Sequence, residues 1–184
     1  MTTTLSSRIP GVLATSPAVQ VSLPAPRGRL SLRARGDLTP FAQPLGFALP
    51  ERIGQRAQTD DVQALRLGPD EWTLNTPVDA VAGLIDAFAA IYPSHPHSLV
   101  DISGREISLV IDGTQASELL TIGCARDVEA IPPGEGRRTL FDGTSVLLWR
   151  DAPNTYRMDV WNSFAPHLLA LLKTGCAELA AESL

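Results

Sequence analysis

The stretch Arg137-Arg138-Thr139-Leu140-Phe141-Asp142-Gly143-Thr144-Ser145-Val146-Leu147-Leu148-Trp149-Arg150 decides the fold class. Asp142-Gly143 between two apolar-rich runs is a hairpin signal, because the tight turn that suits twisted antiparallel strands needs positive φ at both central residues. Arg137–Phe141 and Thr144–Arg150 therefore read as paired strands. Asp151–Asn154 makes the next turn and Tyr156–Trp161 the next strand. Phe164, Leu168, Leu171 and Leu172 then follow at helical spacing behind Asn162 or Ser163 as N-cap.

The same grammar extends towards the N-terminus. Ser98–Ser103 reads as a strand, and Ile107, Leu109 and Ile111 alternate onto one face of another. Asp112-Gly113 turns into a helix from about residue 114 to 122 with Ala116, Leu119 and Leu120 inward and Gly123 as its stop. Further back, Val19–Leu23 and Leu30–Ala34 are strand candidates around the turn Pro24-Ala25-Pro26-Arg27-Gly28. Val62, Ala64 and Arg66 begin a strand that turns at Gly68-Pro69-Asp70-Glu71 and returns through Trp72-Thr73-Leu74. Thr76 as N-cap, Pro77 in the first turn and Asp79 predict a helix start, with Val78, Val81, Ala82, Ile85, Phe88, Ala89 and Tyr92 as its apolar face and Pro93 as its end. Strand pairs followed by helices, without strict βαβ alternation, predict an α+β protein: antiparallel sheets with helices on one face. The expected division is a flexible arm at 1–18, a first half-domain at 19–93 with an irregular Pro- and Gly-rich loop at 36–60, and a second half-domain at 94–184.

Composition bounds the function. Of 184 residues, 44% are hydrophobic and 19% charged, which excludes a largely disordered chain. No apolar run reaches the roughly 20 residues of a membrane-spanning helix, so no membrane partner is expected. The net charge of -5 argues against nucleic acid. Charge is uneven along the chain: through Gln58 seven Arg face Asp37 and Glu51, a balance of +5, and the remainder holds eight bases and eighteen acids, a balance of -10. Such an arm packs on its own body or docks on an acidic partner. Cys124 and Cys176 form no CxxC and read as free thiols of a reducing compartment; without a signal-peptide pattern at Met1–Arg8, the expected location is cytoplasmic.

Residues able to carry chemistry are scarce. His95 and His97 flank Pro96 on one side of an extended segment, but no third metal ligand is at hand, so they read as surface loop histidines, and His167 as a helix residue near Pro166. Asp101 pairs with Ser103 or Arg105 at a strand bend, or else faces a pocket for a cationic ligand. Asp70 and Glu71 are turn residues, and Trp72, Trp149 and Trp161 belong first to cores, with interface anchoring as the second reading. No nucleophile elbow, phosphate loop or dinucleotide fingerprint is present. The expectation is no catalytic, cofactor-binding or metal-binding residue in this chain, and a binding or structural subunit rather than a free-standing enzyme.

Four motifs in order add a resemblance: Leu67-Gly68-Pro69-Asp70-Glu71-Trp72; Leu99-Val100-Asp101-Ile102-Ser103; Arg137-Arg138-Thr139-Leu140 with Val146-Leu147-Leu148-Trp149-Arg150; and Ser163-Phe164-Ala165. Together, from about Pro24 to Leu172, they resemble the gamma-subunit family of heterotetrameric sarcosine oxidase. Val100–Ser103 through Ile111, Gly113, Ala116 and Leu119-Leu120 is also similar to the folate-binding domain of glycine-cleavage aminomethyltransferases. The resemblance implies two related α+β half-domains and a non-catalytic subunit with alpha, beta and delta partners. It implies that the complex demethylates sarcosine oxidatively to glycine, makes hydrogen peroxide and passes the one-carbon unit to tetrahydrofolate. FAD, FMN, NAD and tetrahydrofolate are then expected in the complex, on the alpha and beta subunits, with zinc on delta and no cofactor in this chain. The basic arm and loop 36–60 are the expected contact surfaces. The rivals are a stand-alone folate-binding one-carbon protein, and a scaffold that pairs with its own copy.

Overall fold

The computed structural model describes residues 9–182. Eleven strands form two antiparallel sheets, each in its own compact unit. One unit is residues 27–104; the other joins 1–26 to 105–184.

In the continuous unit, β3 (Gly28–Ala34), β4 (Arg56–Gln58), β5 (Gln63–Gly68), β6 (Glu71–Thr76) and β7 (His97–Asp101) are ordered β4-β5-β6-β3-β7. Strand alternation sends Leu30, Leu32 and Ala34 to one face, beside Trp72 and Leu74 of β6 and Ala64 of β5. That face is closed by a short helix, α1 (Ala42–Leu45), and by α2 (Val81–Ile91), which contribute Leu45 and Val81, Leu84 and Phe88. The rest of loop 36–60 joins in: Phe41 and Leu49 are core residues, and the Pro50 carbonyl accepts the Trp72 indole N–H at 3.0 Å. The segment 36–60 is thus not wholly irregular, since it holds α1 and the edge strand β4 paired with β5, and its bulky side chains cover apolar surface, each worth about 1.5–3 kcal/mol when buried.

In the other unit the order is β1-β2-β8-β11-β10-β9, from β1 (Gly11–Thr15), β2 (Gln20–Leu23), β8 (Glu106–Asp112), β9 (Glu135–Phe141), β10 (Thr144–Ala152) and β11 (Thr155–Trp161). The Asp142-Gly143 hairpin forms as read, with φ of 45° and 74° and Phe141 opposite Thr144. The core gathers Val21, Leu109, Ile111, Leu148, Tyr156 and Met158 under α3 (Ala116–Thr121) and α4 (Ala165–Glu182), which bring Leu119, Leu120, Leu168 and Leu172.

Several expectations change. The division falls at 26/27 and 104/105, not at 93/94: β2 pairs with β8, and β7 pairs with β3. Strands adjacent in sequence, such as β2 and β3 or β7 and β8, thus enter different sheets, a long-range choice that local patterning does not carry. Part of the arm is ordered, since β1 pairs with β2 through a bulge between Val12 and Ala14; residues 1–8 of the arm lie outside the described residues. Thr76 ends β6 instead of capping a helix: its buried Oγ1 has no hydrogen-bond partner, and α2 starts five residues later, behind a 3-10 turn at Val78–Ala80. That shift rotates the helix, so Val78 and Tyr92 are exposed. Gly123 has no left-handed φ; a Cβ there would meet the Phe141 ring at 2.7 Å, so the residue serves close packing. Phe164 precedes α4 and is exposed, and Leu169, Cys176 and Leu179 take up the buried face.

Candidate functional site

Arginines of the basic stretch pair inside the unit formed by residues 27–104. On β3, Arg33 donates to Asp70 Oδ1 at 2.7 Å, and Arg35, one residue past the strand, donates to Asp70 Oδ2 at 2.9 Å. The Arg35 guanidinium, with Arg33 behind it, holds the Asp70 carboxyl below the usual range. Arg66 lies 5.0 Å over the Trp72 ring and donates to the carbonyls of Gly68, Glu51 and Pro69. A cavity of about 410 Å³ opens between these groups, lined by Arg35, Leu38, Arg66, Asp70 and Trp72, yet its cations already have partners. The sequence polarity also disappears on folding. Residues 27–104 carry seven bases and nine acids, a balance of -2, and the other unit carries eight and eleven, a balance of -3.

Asp101 is exposed, and its Oδ1 accepts from the Ser103 N–H at 2.8 Å and the Ser103 hydroxyl at 2.6 Å. The hydroxyl and then the N–H depress its pKa. Of the two expected partners Ser103 is the one used, because Arg105 pairs with Glu106 at 2.7 Å. The carboxylate serves its own turn, which is a poor fit for the ligand-facing role a folate site would ask of it.

The histidines separate. His97 is half-buried, its ring 5.1 Å from Phe41, 5.4 Å from Phe88 and 5.5 Å from Tyr92, with Nδ1 2.7 Å from the His95 carbonyl. It is part of an aromatic nest rather than a surface loop; its place opposite Ala34 on β7 brings it to the core face, which sequence spacing could not show. His167 Nε2 lies 2.6 Å from Asp142 Oδ2. Among the described residues no group of three or more His, Cys, Asp or Glu could hold a metal, and no helix is long and apolar enough to cross a membrane. Cys124 and Cys176 are buried and unbridged, and burial pushes the Cys176 thiol up.

The clearest surface feature is one that core packing had been expected to absorb. Trp161 ends β11 and is 49% exposed; Phe164, 46% exposed, follows in a turn closed by its N–H on the Trp161 carbonyl at 3.0 Å. The Asn162 N–H binds the Arg105 carbonyl, and the Arg105 guanidinium lies 5.5 Å from the Trp161 ring centre. A rigid turn thus presents two aromatics and an arginine, the residue types that carry most binding energy at protein interfaces. The alternation of β11 to an outward Trp161 was available in the sequence; the exposure was not.

Two antiparallel sheets with these helices make an α+β fold similar to that of the aminomethyltransferases. The structure is similar to aminomethyltransferase T of the glycine cleavage system from Bartonella henselae, with a TM-score of 0.59 and 14% identity over 79% of this chain and 43% of that one. More specifically, the chain is similar to the gamma subunit of heterotetrameric sarcosine oxidase. It is 27% identical over 144 residues to sarcosine oxidase subunit gamma of Corynebacterium sp. (strain U-96), covering 77% of this chain and 69% of that subunit. It superposes on a chain of the heterotetrameric sarcosine oxidase from Corynebacterium sp. U-96, solved with pyrrole 2-carboxylate, with a TM-score of 0.82 and 23% identity over 91% of this chain and 89% of that one. No family model matches the chain.

Proposed function

We propose that this chain is the gamma-type, non-catalytic subunit of a sarcosine-oxidase-like complex. The observation that carries the reading is the similarity to a gamma subunit along most of both chains, with a structural match covering about nine-tenths of each. In this reading alpha, beta and delta subunits are the partners and the complex converts sarcosine to glycine, releasing hydrogen peroxide and handing the one-carbon unit to tetrahydrofolate. FAD, FMN, NAD and tetrahydrofolate sit on those other subunits, and the assembly is cytoplasmic, in keeping with two unbridged buried thiols.

The role of this chain is then docking. Its arginines at Arg33, Arg35 and Arg66 are tied to their own unit, which moves the contact surface away from the basic arm and loop 36–60. The turn at Trp161, Phe164 and Arg105 takes that place: two half-exposed aromatics lose water on docking, and Arg105 brings its charge already balanced by Glu106. Co-expression of the tagged chain with alpha-, beta- and delta-type subunits tests this. Stoichiometric co-purification supports it; a chain that elutes alone in their presence ends it.

A further inference from the structure

The turn that follows β11 uses its backbone acceptors internally and leaves side-chain donors outside. The Trp161 carbonyl accepts the Phe164 N–H, and the Arg105 carbonyl accepts the Asn162 N–H, both at 3.0 Å. Nε and Nη2 of Arg105 donate to the same oxygen, Oε1 of Glu106, at 3.1 and 2.7 Å. Among the described residues nothing accepts from the third guanidinium nitrogen, Nη1, or from the Trp161 indole N–H. Glu106 balances the charge from a covered position, its side chain 12% exposed against 46% for Arg105. What meets solvent is the cation, held beside the Trp161 ring.

The apolar part reaches beyond the turn. Leu147 pairs with Asp159, so two residues further out Ser145 and Trp161 share a sheet face, and Ser145 pairs with Leu140. Leu140 is 58% exposed. One end of this face therefore carries Leu140 and Trp161, with Phe164 in the adjoining turn. Arg138, two residues before Leu140 and on the same face, is exposed as well. Exposed apolar groups gathered among polar ones mark an interaction site.

We propose that this surface receives an acidic segment of a partner subunit, in which a carboxylate pairs with Arg105 and an apolar side chain beside it packs on Trp161 and Phe164. Docking takes Arg105 and the indole N–H out of water, and a donor buried without an acceptor opposes binding. A purely apolar partner leaves both donors unmatched, and a basic partner repels the guanidinium. A second copy docked by the same surface sets Arg105 against Arg105, because a two-fold contact brings like patches together. A carboxylate satisfies the donors and fixes the register, and the aromatic rings supply the apolar anchor. The inference rests on the subunit reading and adds the chemistry that the partner presents.

Co-expression of the tagged chain with alpha-, beta- and delta-type subunits, as wild type, Arg105→Gln, Arg105→Glu and Trp161→Ala, tests it, each complex being washed with rising salt. The wild-type complex is expected to loosen as salt rises, and Arg105→Gln to hold more weakly with a flatter salt response. Arg105→Glu, which sets a second acid beside Glu106, is expected to weaken the complex about tenfold or more, and Trp161→Ala about thirtyfold or more. The arginine variants alter an exposed side chain and keep the wild-type thermal midpoint, so they decide the matter even if Trp161→Ala misfolds. A complex that tolerates Arg105→Glu, or one indifferent to salt, overturns this inference and leaves the subunit reading standing. A wild-type chain that elutes alone ends both. Self-association of the chain alone that Arg105→Glu abolishes overturns the proposal in favour of a second copy.

Discussion

The indole Nε1 of Trp149 donates to Oδ2 of Asp159 at 2.7 Å, diagonally across β10 and β11, and Asp159 is only 3% exposed. The same carboxylate accepts the Ser108 hydroxyl and lies 3.7 Å from Arg157, whose guanidinium stacks 4.2 Å over the Trp149 ring. Removing the acid leaves the buried indole N–H without its acceptor and takes one of two acidic neighbours from Arg157, which keeps Asp151 at 3.0 Å. Asp159→Ala is expected to cost about 3–5 kcal/mol, and Asp159→Asn, which keeps an acceptor, about 1–3 kcal/mol. Urea unfolding followed by tryptophan fluorescence measures both.

Glycines at three positions should respond in opposite senses. Gly123→Ala drives a methyl into the Phe141 ring and is expected to destabilise by about 1–3 kcal/mol. Gly143→Ala strains a residue held at φ 74° in open space and should cost about 1 kcal/mol. Gly83→Ala, on exposed α2 with nothing within 4 Å of the added carbon, should instead stabilise by about 0.4–1 kcal/mol. Chemical-denaturation midpoints of the three variants check the order.

Asn75 on β6 is 1% exposed, and neither atom of its carboxamide has a hydrogen-bond partner. An unpaired buried polar group costs about 1–3 kcal/mol in lost hydration. Asn75→Leu, close in volume, is therefore expected to raise the thermal midpoint; a lower midpoint would show that the amide is engaged.

Asp70 and Asp101 both have depressed pKa values, through Arg35 and Ser103 respectively. A carboxyl that ionises more readily when folded adds stability in full above its unfolded pKa of about 3.9, and loses it as pH falls through the depressed folded value. Asp70→Asn should thus be less stable than wild type at neutral pH, and the two unfolding curves should converge in acid. Midpoints measured from neutral to strongly acidic pH give the comparison.

The Cys176 thiol is buried and its pKa is raised by that burial, and Cys124 is buried as well. Thiolate is the reactive form. A thiol-specific colorimetric reagent is expected to leave both untouched in the native chain and to titrate both once the chain is unfolded.

The local patterns carried much of the fold. Asp142-Gly143 is one of the dipeptides that favour positive φ, and the alternation of Ile107, Leu109 and Ile111 points one way, so the hairpin and a strand of the second sheet were legible from neighbouring residues alone. The order of four motifs carried the resemblance to a gamma subunit, which the similarity along most of both chains bears out. Tertiary structure decided what depends on distant partners. It assigned β2 and β7 to different sheets from the strands that follow them, because strand pairing is settled by complementary faces far apart in sequence. It turned Thr76 from a cap into a strand end and paired Arg33 and Arg35 with Asp70 of their own unit. It also left Trp161 and the backbone of β7 open to solvent, since a residue's exposure follows from what the rest of the chain fails to cover.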